Sequence, residues 1–529
     1  MTIPPRYTAE PDGPLKRFAD RVGSRVDLVL IAALVVGVAV RVWEFGSIPP
    51  GLNQDEASTA YDAFSILNYG VDRSGFHIPL VLNSWGSGMY ALASYLEMPF
   101  LAAFGLSITA ARMAFLVAGV VAIPVFFSLL RESVDLRTAR IGAVLLAISP
   151  WHIMISRWGL DSNMFPFMFL LGAACLVRSV KSERWLIPAF ALIALSLYGY
   201  GTAYIAVPVF LGLCLAYGIR HELWRIATVA WSVAAFTVVA LPIALYVMIN
   251  RFGWDSIETP LFSIPRLTGV PRFESMSNID VFDNLWVAIK LFTTQNDGLI
   301  WNSVPYFGIM YVFSTVLAVP GLAILCYRIY SKNTQKEFDP SFVLVAWSFA
   351  AIVLCAFLSM NINRANIAMF PFIACTAVTV SALWKHRWAV VVLGAAFAIS
   401  FAAFLHTYFG SYRSEAAGAF YSSFGEAIKY AAAQTQGQIC VTGDVNMPYI
   451  FVLFNTEADP REFAATVRYD NPGAEFQQVG SFDRYTFGLN RCPESTDVVI
   501  ATNAEAQQIQ APGFTPRAFE RYTVFTRDR

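Results

Sequence analysis

Between residues 185 and 218 the chain carries no charged side chain. As one helix this stretch would be about 51 Å long, far more than the roughly 30 Å hydrocarbon core of a bilayer. Gly199-Tyr200-Gly201 is expected to break it into two spans. A requirement of about 20 mostly apolar residues per crossing gives spans at 27–45, 109–130, 140–155, 163–177, 185–199, 202–218, 226–249, 306–326, 341–359, 365–384 and 388–405, eleven in all. The chain is thus an α-helical polytopic membrane protein. Its first apolar run reads as a retained span, because residues 1–26 are polar and contain prolines, unlike a cleavable signal.

Basic clusters fix the orientation. They stand at Lys16/Arg17/Arg21/Arg25, Arg131/Arg137/Arg140, Arg178/Lys181/Arg184, Arg220/Arg225, Arg328/Lys332/Lys336 and Lys385/Arg387. If all face the cytoplasm, an even number of crossings separates each pair, and residues 88–104, with Glu97 and Pro99, must lie along the outer face instead of crossing. The domains are then a cytoplasmic segment 1–26, a transmembrane catalytic domain 27–408 and an extracytoplasmic α/β domain 409–529. The outer side also holds the loops 46–107 and 250–305. In the tail, 420–433 reads as helix, and 438–442, 449–454, 485–489 and 497–501 read as strands between Gly-, Asn- and Pro-rich turns. Cys440 and Cys492, the two of seven cysteines outside apolar runs, would form a disulfide if that domain meets an oxidising compartment.

Only 14% of residues are charged, so polar chemistry has few places to occur. The first candidate is the polar stretch 53–79 directly after the first span, with the acidic pair Asp55-Glu56 amid Asn53, Gln54 and Tyr61. The alternative is a helix start at which acidic side chains complement the dipole. Six charged residues fall at the outer ends of spans: Arg41, Glu44, Arg112, Arg157, Asp161 and Arg364. Snorkelling suits Arg41 and Arg112. Arg157 and Arg364, with Arg112 as a third, suit a phosphate, because guanidinium groups bind its oxygens bidentately. Asp161, four residues after Arg157, would pair with it or bind the acceptor. Asp55, Glu56 and Asp161 are also the carboxylates available to share a divalent cation with His77 or a substrate phosphate. No cofactor is required by the sequence beyond that option. GxxxxGK[ST], HExxH and CxxC patterns are absent, and zero net charge gives no reason to expect nucleic acid.

The chain resembles the polyprenyl-phosphate-sugar-dependent glycosyltransferases of the GT-C fold, the group of the protein O-mannosyltransferases and the lipid A aminoarabinose transferase (glycosyltransferase family 39-like). The residues that carry the likeness are DEASTAYDAFSILNYGVDRSGFHIPL at 55–80, FGLSITAARMAFLVAGV at 104–120, SPWHIMISRWGLDSNM at 149–164, LYGYGTAYIAVP at 197–208, NRANIAMFPF at 363–372 and YFGSYRSEAAGAFYSSFGEAIKYA at 408–431. The resemblance implies an inverting transfer of a monosaccharide from a polyprenyl-phosphate donor to a hydroxyl or amine of a glycan, lipid or protein acceptor. Asp55 would be the base, Glu56 and Asp161 its acidic companions, and Arg157, Arg364, Arg112, His77 and Tyr61 the donor contacts. The loop 250–305 would cover the site, and the apolar groove between spans would hold the lipid tail. It also implies a bacterial inner membrane; a eukaryotic chain would face the endoplasmic reticulum lumen. One departure stands out: the aminoarabinose branch has a Lys-Pro-Pro motif where this chain reads Trp85-Gly86-Ser87-Gly88-Met89-Tyr90.

Competing expectations are a polymerase or ligase using a pyrophosphate-linked glycan, a transporter, and an inactive member serving as a sensor or assembly partner. A transporter would carry ionisable groups near the midplane, whereas 226–249, 306–326 and 388–405 have none.

Overall fold

The computed structural model describes residues 27–270, 280–510 and 512–528. The expected cytoplasmic segment 1–26 and residues 271–279 of the second large loop lie outside these.

Helix α1 (Leu28–Val42) is N-capped by Asp27, which accepts from the amides of Val29 (3.1 Å) and Leu30 (3.2 Å). Helix α2 (Gln54–Tyr69) begins with a reciprocal capping box between Asn53 and Glu56 and ends at Gly70, whose φ of 74° suits a residue without a Cβ. Helix α3 (Leu92–Phe104) has 13 residues, about 20 Å, too short to cross the hydrocarbon core unaided. It packs between α2 and α4 (Ile108–Ser133).

Among the described residues, seven of the expected spans contain helical stretches long and apolar enough to cross a membrane. The chain is a multi-pass membrane protein. The stretches Asp161–Ser179 and Ile362–Lys385 are enclosed by protein, while Ile226–Phe252, Ser314–Thr334 and Arg387–Tyr408 turn most of their side chains outward, as lipid-facing helices do. The break at 199–201 occurs where expected. A Cβ on Gly201 would lie 2.6 Å from the Tyr90 hydroxyl, so the close approach requires glycine.

The other four expected spans hold the shorter helices Leu28–Val42, Leu136–Ile148, Leu186–Leu195 and Phe342–Phe357, and the bounds of 140–155 and 306–326 differ most from expectation. The 140–155 stretch divides at Ser149 into Leu136–Ile148 and Pro150–Ile155, because Pro150 lacks the amide that would continue the first helix. The 306–326 span starts only at Ser314 and runs on to Thr334. The Gln295 amide holds the preceding turns open by bonding Tyr311 O (3.3 Å), Ser314 Oγ (3.1 Å) and Met310 N (2.8 Å).

The C-terminal part forms one seven-stranded sheet. Its strands are β1 (Gln438–Val441), β2 (Arg468–Tyr469), β3 (Val479–Phe482), β4 (Tyr485–Phe487), β5 (Thr496–Thr502), β6 (Phe514–Ala518) and β7 (Tyr522–Arg527), in the order β6-β7-β5-β1-β4-β3-β2. Central β1 runs parallel to both neighbours, and the outer pairs are antiparallel. Cys440 on β1 is disulfide-bonded to Cys492. Residues 449–454, read above as a strand, lie in the helix Pro448–Thr456. Pro448 at its first turn starts the helix, and every side chain of the hexapeptide is buried, which removes the alternation that separates strand from helix.

This domain shares a hydrophobic core with the bundle. Leu52, Ala57, Tyr61, Leu82 and Trp85 pack in one cluster with Tyr449, Phe451 and Leu453. Helix Pro448–Thr456 lies against α2.

Candidate active site at the start of α2

The acidic pair occupies the first turn of α2, and its two members have different surroundings. Glu56 is buried, and its carboxylate meets the Arg112 guanidinium fork on: Arg112 Nε donates to Oε1 at 2.6 Å and Nη2 to Oε2 at 2.9 Å. The amides of Gly159 (2.8 Å) and Asn53 (3.3 Å) also donate to it. Arg112 spends its remaining donors on the carbonyls of Pro49 and Gly51, both at 2.8 Å, and of Gly46 (3.4 Å). The pair thus folds the linker between α1 and α2: Arg112, expected at a phosphate, and Glu56, expected in the chemistry, are bonded to each other and to the carbonyls of that linker.

Asp55 is only half-buried. The indole Nε1 of Trp85 donates to its Oδ1 at 3.0 Å, and its backbone amide is held by Asn53 Oδ1 (3.1 Å). Asp161 is buried in the turn Asp161–Asn163, with Oδ1 accepting from the Ser162 amide at 2.7 Å. That turn touches α2, α3 and the turn Ile362–Ala365, so it stands between the element carrying Asp55 and the one carrying Arg364. Burial, the neighbouring Tyr204 and the Asp161 carboxylate push the Tyr90 phenol well above its usual value.

Arg157, expected at a phosphate, lies among backbone carbonyls. Fully buried beneath the rings of Tyr408 and Phe409, it donates to the carbonyls of Val40 (3.1 Å), Arg41 (2.7 Å), Glu44 (3.0 Å) and Ile48 (3.1 Å). It caps the end of α1, where unpaired carbonyls favour a cation. Arg41 is buried rather than snorkelling, and bonds Gly37 O (2.9 Å), Ala147 O (3.1 Å), Ser156 Oγ (3.2 Å) and His152 Nδ1 (2.7 Å). Tyr61, expected at the donor, is buried as well and donates to Ala458 O at 2.7 Å, tying α2 to the C-terminal domain. His77 packs beside Gly70, at the far end of α2 and roughly 20 Å from Asp55 by helix rise. Among the described residues no group of three or more His, Cys, Asp or Glu is placed to hold a metal ion, so Asp55, Glu56, Asp161 and His77 do not converge as ligands.

Arg364 remains exposed, with Nη1 donating to Ser359 O at 2.8 Å. One turn further along the chain, Ala368 lines an apolar cavity of about 220 Å³, with Phe292, Ala318, Leu322, Ile352 and Phe372. The segment 418–423 crosses the start of α2: Asn53 Nδ2 donates to Ala419 O at 3.5 Å, and a Cβ on Gly51 would fall 2.2 Å from Phe420 O. Tyr421 in this segment is raised by burial and by the charges of Asp444 and Asp55, while the bond from the Asn446 amide opposes the shift. It lines a polar cavity of about 290 Å³ with Asp444, Asn503, Glu520, Arg521 and Tyr522.

Sequence reasoning missed two things here. Trp85 entered it only as a departure from a motif, and the buried Asp62–Arg73 pair (3.4 Å) did not enter at all. The opposite charges of Asp62 and Arg73 within the polar stretch 53–79 were the available signal.

The fold defined by these elements is that of known membrane glycosyltransferases. The structure aligns with ArnT from Cupriavidus metallidurans in the apo state over 96% of this chain and 98% of that one, with a TM-score of 0.57 at 13% identity. It aligns with the same protein bound to undecaprenyl phosphate at a TM-score of 0.56 and 13% identity, over 94% and 97%. The Archaeoglobus fulgidus oligosaccharyltransferase in complex with zinc and sulfate aligns at 0.53 and 12% identity, over 94% and 73%. The chain therefore has the GT-C fold. In sequence, 81 residues are 36% identical to the Bacillus subtilis (strain 168) protein named "Putative mannosyltransferase YycA"; the match spans 15% of this chain and 12% of that protein's length. No family model matches the chain.

Proposed function

We propose that this protein is an inverting membrane glycosyltransferase that moves a monosaccharide from a polyprenyl-phosphate donor to an acceptor hydroxyl, with Asp55 as the base. One observation carries the reading: of the adjacent acids, Glu56 is consumed by Arg112, while Asp55 is left half-buried at the mouth of the bundle. A carboxylate so placed can take the acceptor proton as the anomeric carbon is attacked and the lipid phosphate departs. A positioned base contributes typically about 10² to 10⁴ in rate. Arg364 would meet the leaving phosphate, with the lipid tail in the apolar cavity one turn away. ArnT, of matching fold, binds undecaprenyl phosphate, and this supports a lipid phosphate as the donor class. The acceptor would approach Asp55 from the Tyr421 side.

The Cys440–Cys492 disulfide favours an oxidising compartment for the C-terminal domain. With the basic loops opposite, this supports a cytoplasmic N-terminus and chemistry on the outer face of a bacterial inner membrane.

The test compares wild type with Asp55→Asn, in detergent, for release of free polyprenyl phosphate from a panel of radiolabelled polyprenyl-phosphate sugars mixed with crude membranes. Release by wild type with a loss of at least about 10²-fold in Asp55→Asn is expected. Equal release by both removes Asp55 as base. No release from any donor by folded protein moves the assignment to pyrophosphate-linked glycans.

A further inference from the structure

Trp85 is buried, and both its ring and its backbone are held by partners distant in sequence. The Arg73 guanidinium carbon lies 4.8 Å from its ring centroid, and Tyr449 of helix Pro448–Thr456 meets it edge-on at 6.0 Å. The Gln477 amide of the C-terminal domain donates to the Trp85 carbonyl at 2.9 Å. The next residue, Gly86, forms a bridge with Phe476, and a Cβ there would fall 2.6 Å from Gln477 Cδ. Gly86 also has a φ of 94°, so the contact is closed to any residue with a side chain. Arg73 is fixed in turn: Nη2 donates to Ser58 Oγ (2.5 Å) and Ser84 Oγ (2.9 Å) and pairs with Asp62 at 3.4 Å. Asp55, Ser58 and Asp62 are spaced i, i+3, i+7 along one face of α2. Trp85 and Arg73 are therefore laid along the face that carries the candidate base, and the indole N–H ends on Asp55 Oδ1.

We propose that the C-terminal domain sets the orientation of the Asp55 carboxylate through Trp85, which makes Trp85 a positioning residue for the transfer. The inference rests on the reading of Asp55 as base. The plane of a carboxylate, which has χ1 and χ2 to turn about, is set by the donors that bond its oxygens. Proton abstraction requires one oxygen within hydrogen-bond reach of the acceptor hydroxyl. Anchoring Oδ1 to an indole that cannot move fixes the plane of the group. The domain that holds the indole is thereby coupled to the chemistry without touching substrate.

Two replacements separate this role from packing. Trp85→Phe keeps an aromatic face for Arg73 and Tyr449 and removes the N–H. Incorporation of 3-benzothienylalanine at position 85 keeps the bicyclic shape and replaces only the N–H by sulfur, so it decides the matter if the phenylalanine variant does not fold. The full chain is assayed in detergent with whichever panel donor wild type turns over. The expected result is a kcat about 10- to 100-fold lower at an unchanged Tm, with the donor KM within about threefold. Tyr449→Leu should lower kcat in wild type and lower it no further in the benzothienylalanine background, because both act through one bond. If the benzothienylalanine protein keeps wild-type kcat while Asp55→Asn is inactive, the positioning role is overturned and the base reading stands. Raised donor KM at unchanged kcat overturns it too, and an additive Tyr449→Leu loss overturns the link to the C-terminal domain. A fully active Asp55→Asn removes both.

Discussion

A buried arginine in this protein is worth what it holds closed. Arg112 without Glu56, or Glu56 without Arg112, would leave one charge fully buried without its counterion. Arg112→Met is therefore expected to lower stability by about 3–5 kcal/mol, read as a fall in Tm in detergent, and Glu56→Gln added to it should recover part of the loss. The Asp72 carboxyl behaves oppositely. Burial first, and then the charge of Asp62, raise it to about 7, against the bonds from the Phe76 and Ser74 amides and the charge of Arg73. An acid raised in the folded state is bound to its proton there after the unfolded chain has released it. Its contribution to stability is complete below about pH 4 and is lost as pH rises toward 7. Asp72→Asn should flatten the fall in Tm between those values, and an unaltered slope would assign it elsewhere. The acidic pair could be found from sequence at this scale, but which member is fully buried could not. A guanidinium fork suits phosphate and carbonyl oxygens alike, and the carbonyls that Arg157 caps lie more than 100 residues away.

At the scale of elements, uncharged runs identify the membrane helices because bilayer thickness imposes a length and leaves backbone groups no partner outside a helix. The same rule cannot place a break such as that before Pro150, nor tell a fully buried helix such as Pro448–Thr456 from a strand. The sheet's edge strand β6 was missed for a related reason: Phe514–Ala518 is mostly exposed and carries no alternation. The turn Ile362–Ala365 supplies the exposed arginine beside the apolar cavity. Arg364→Ala should raise the donor KM by about tenfold with kcat little changed, while Arg364→Lys, a point charge without the fork, should recover only part. An unchanged KM would exclude Arg364 as a phosphate contact.

At the scale of the whole molecule, the sequence read 409–529 as a domain of its own, and its composition is indeed distinct. Yet its helix Pro448–Thr456 completes the core begun by α2, and a boundary drawn from polarity does not register a core shared across it. A chain truncated after Tyr408 is expected to aggregate or lose all transfer activity, because the face of α2 that carries Ala57 and Tyr61 is left uncovered; a folded, active truncation would show the two parts to be independent. The hydrogen bond from Tyr61 to Ala458 closes a separation of 397 residues. At a synthesis rate of about 5–20 residues per second, the first loop waits on the order of 20 to 80 seconds for its partner. For that interval each nascent copy holds a first loop that is made but unfinished, so the packing around α2 closes only after residue 458 has been added.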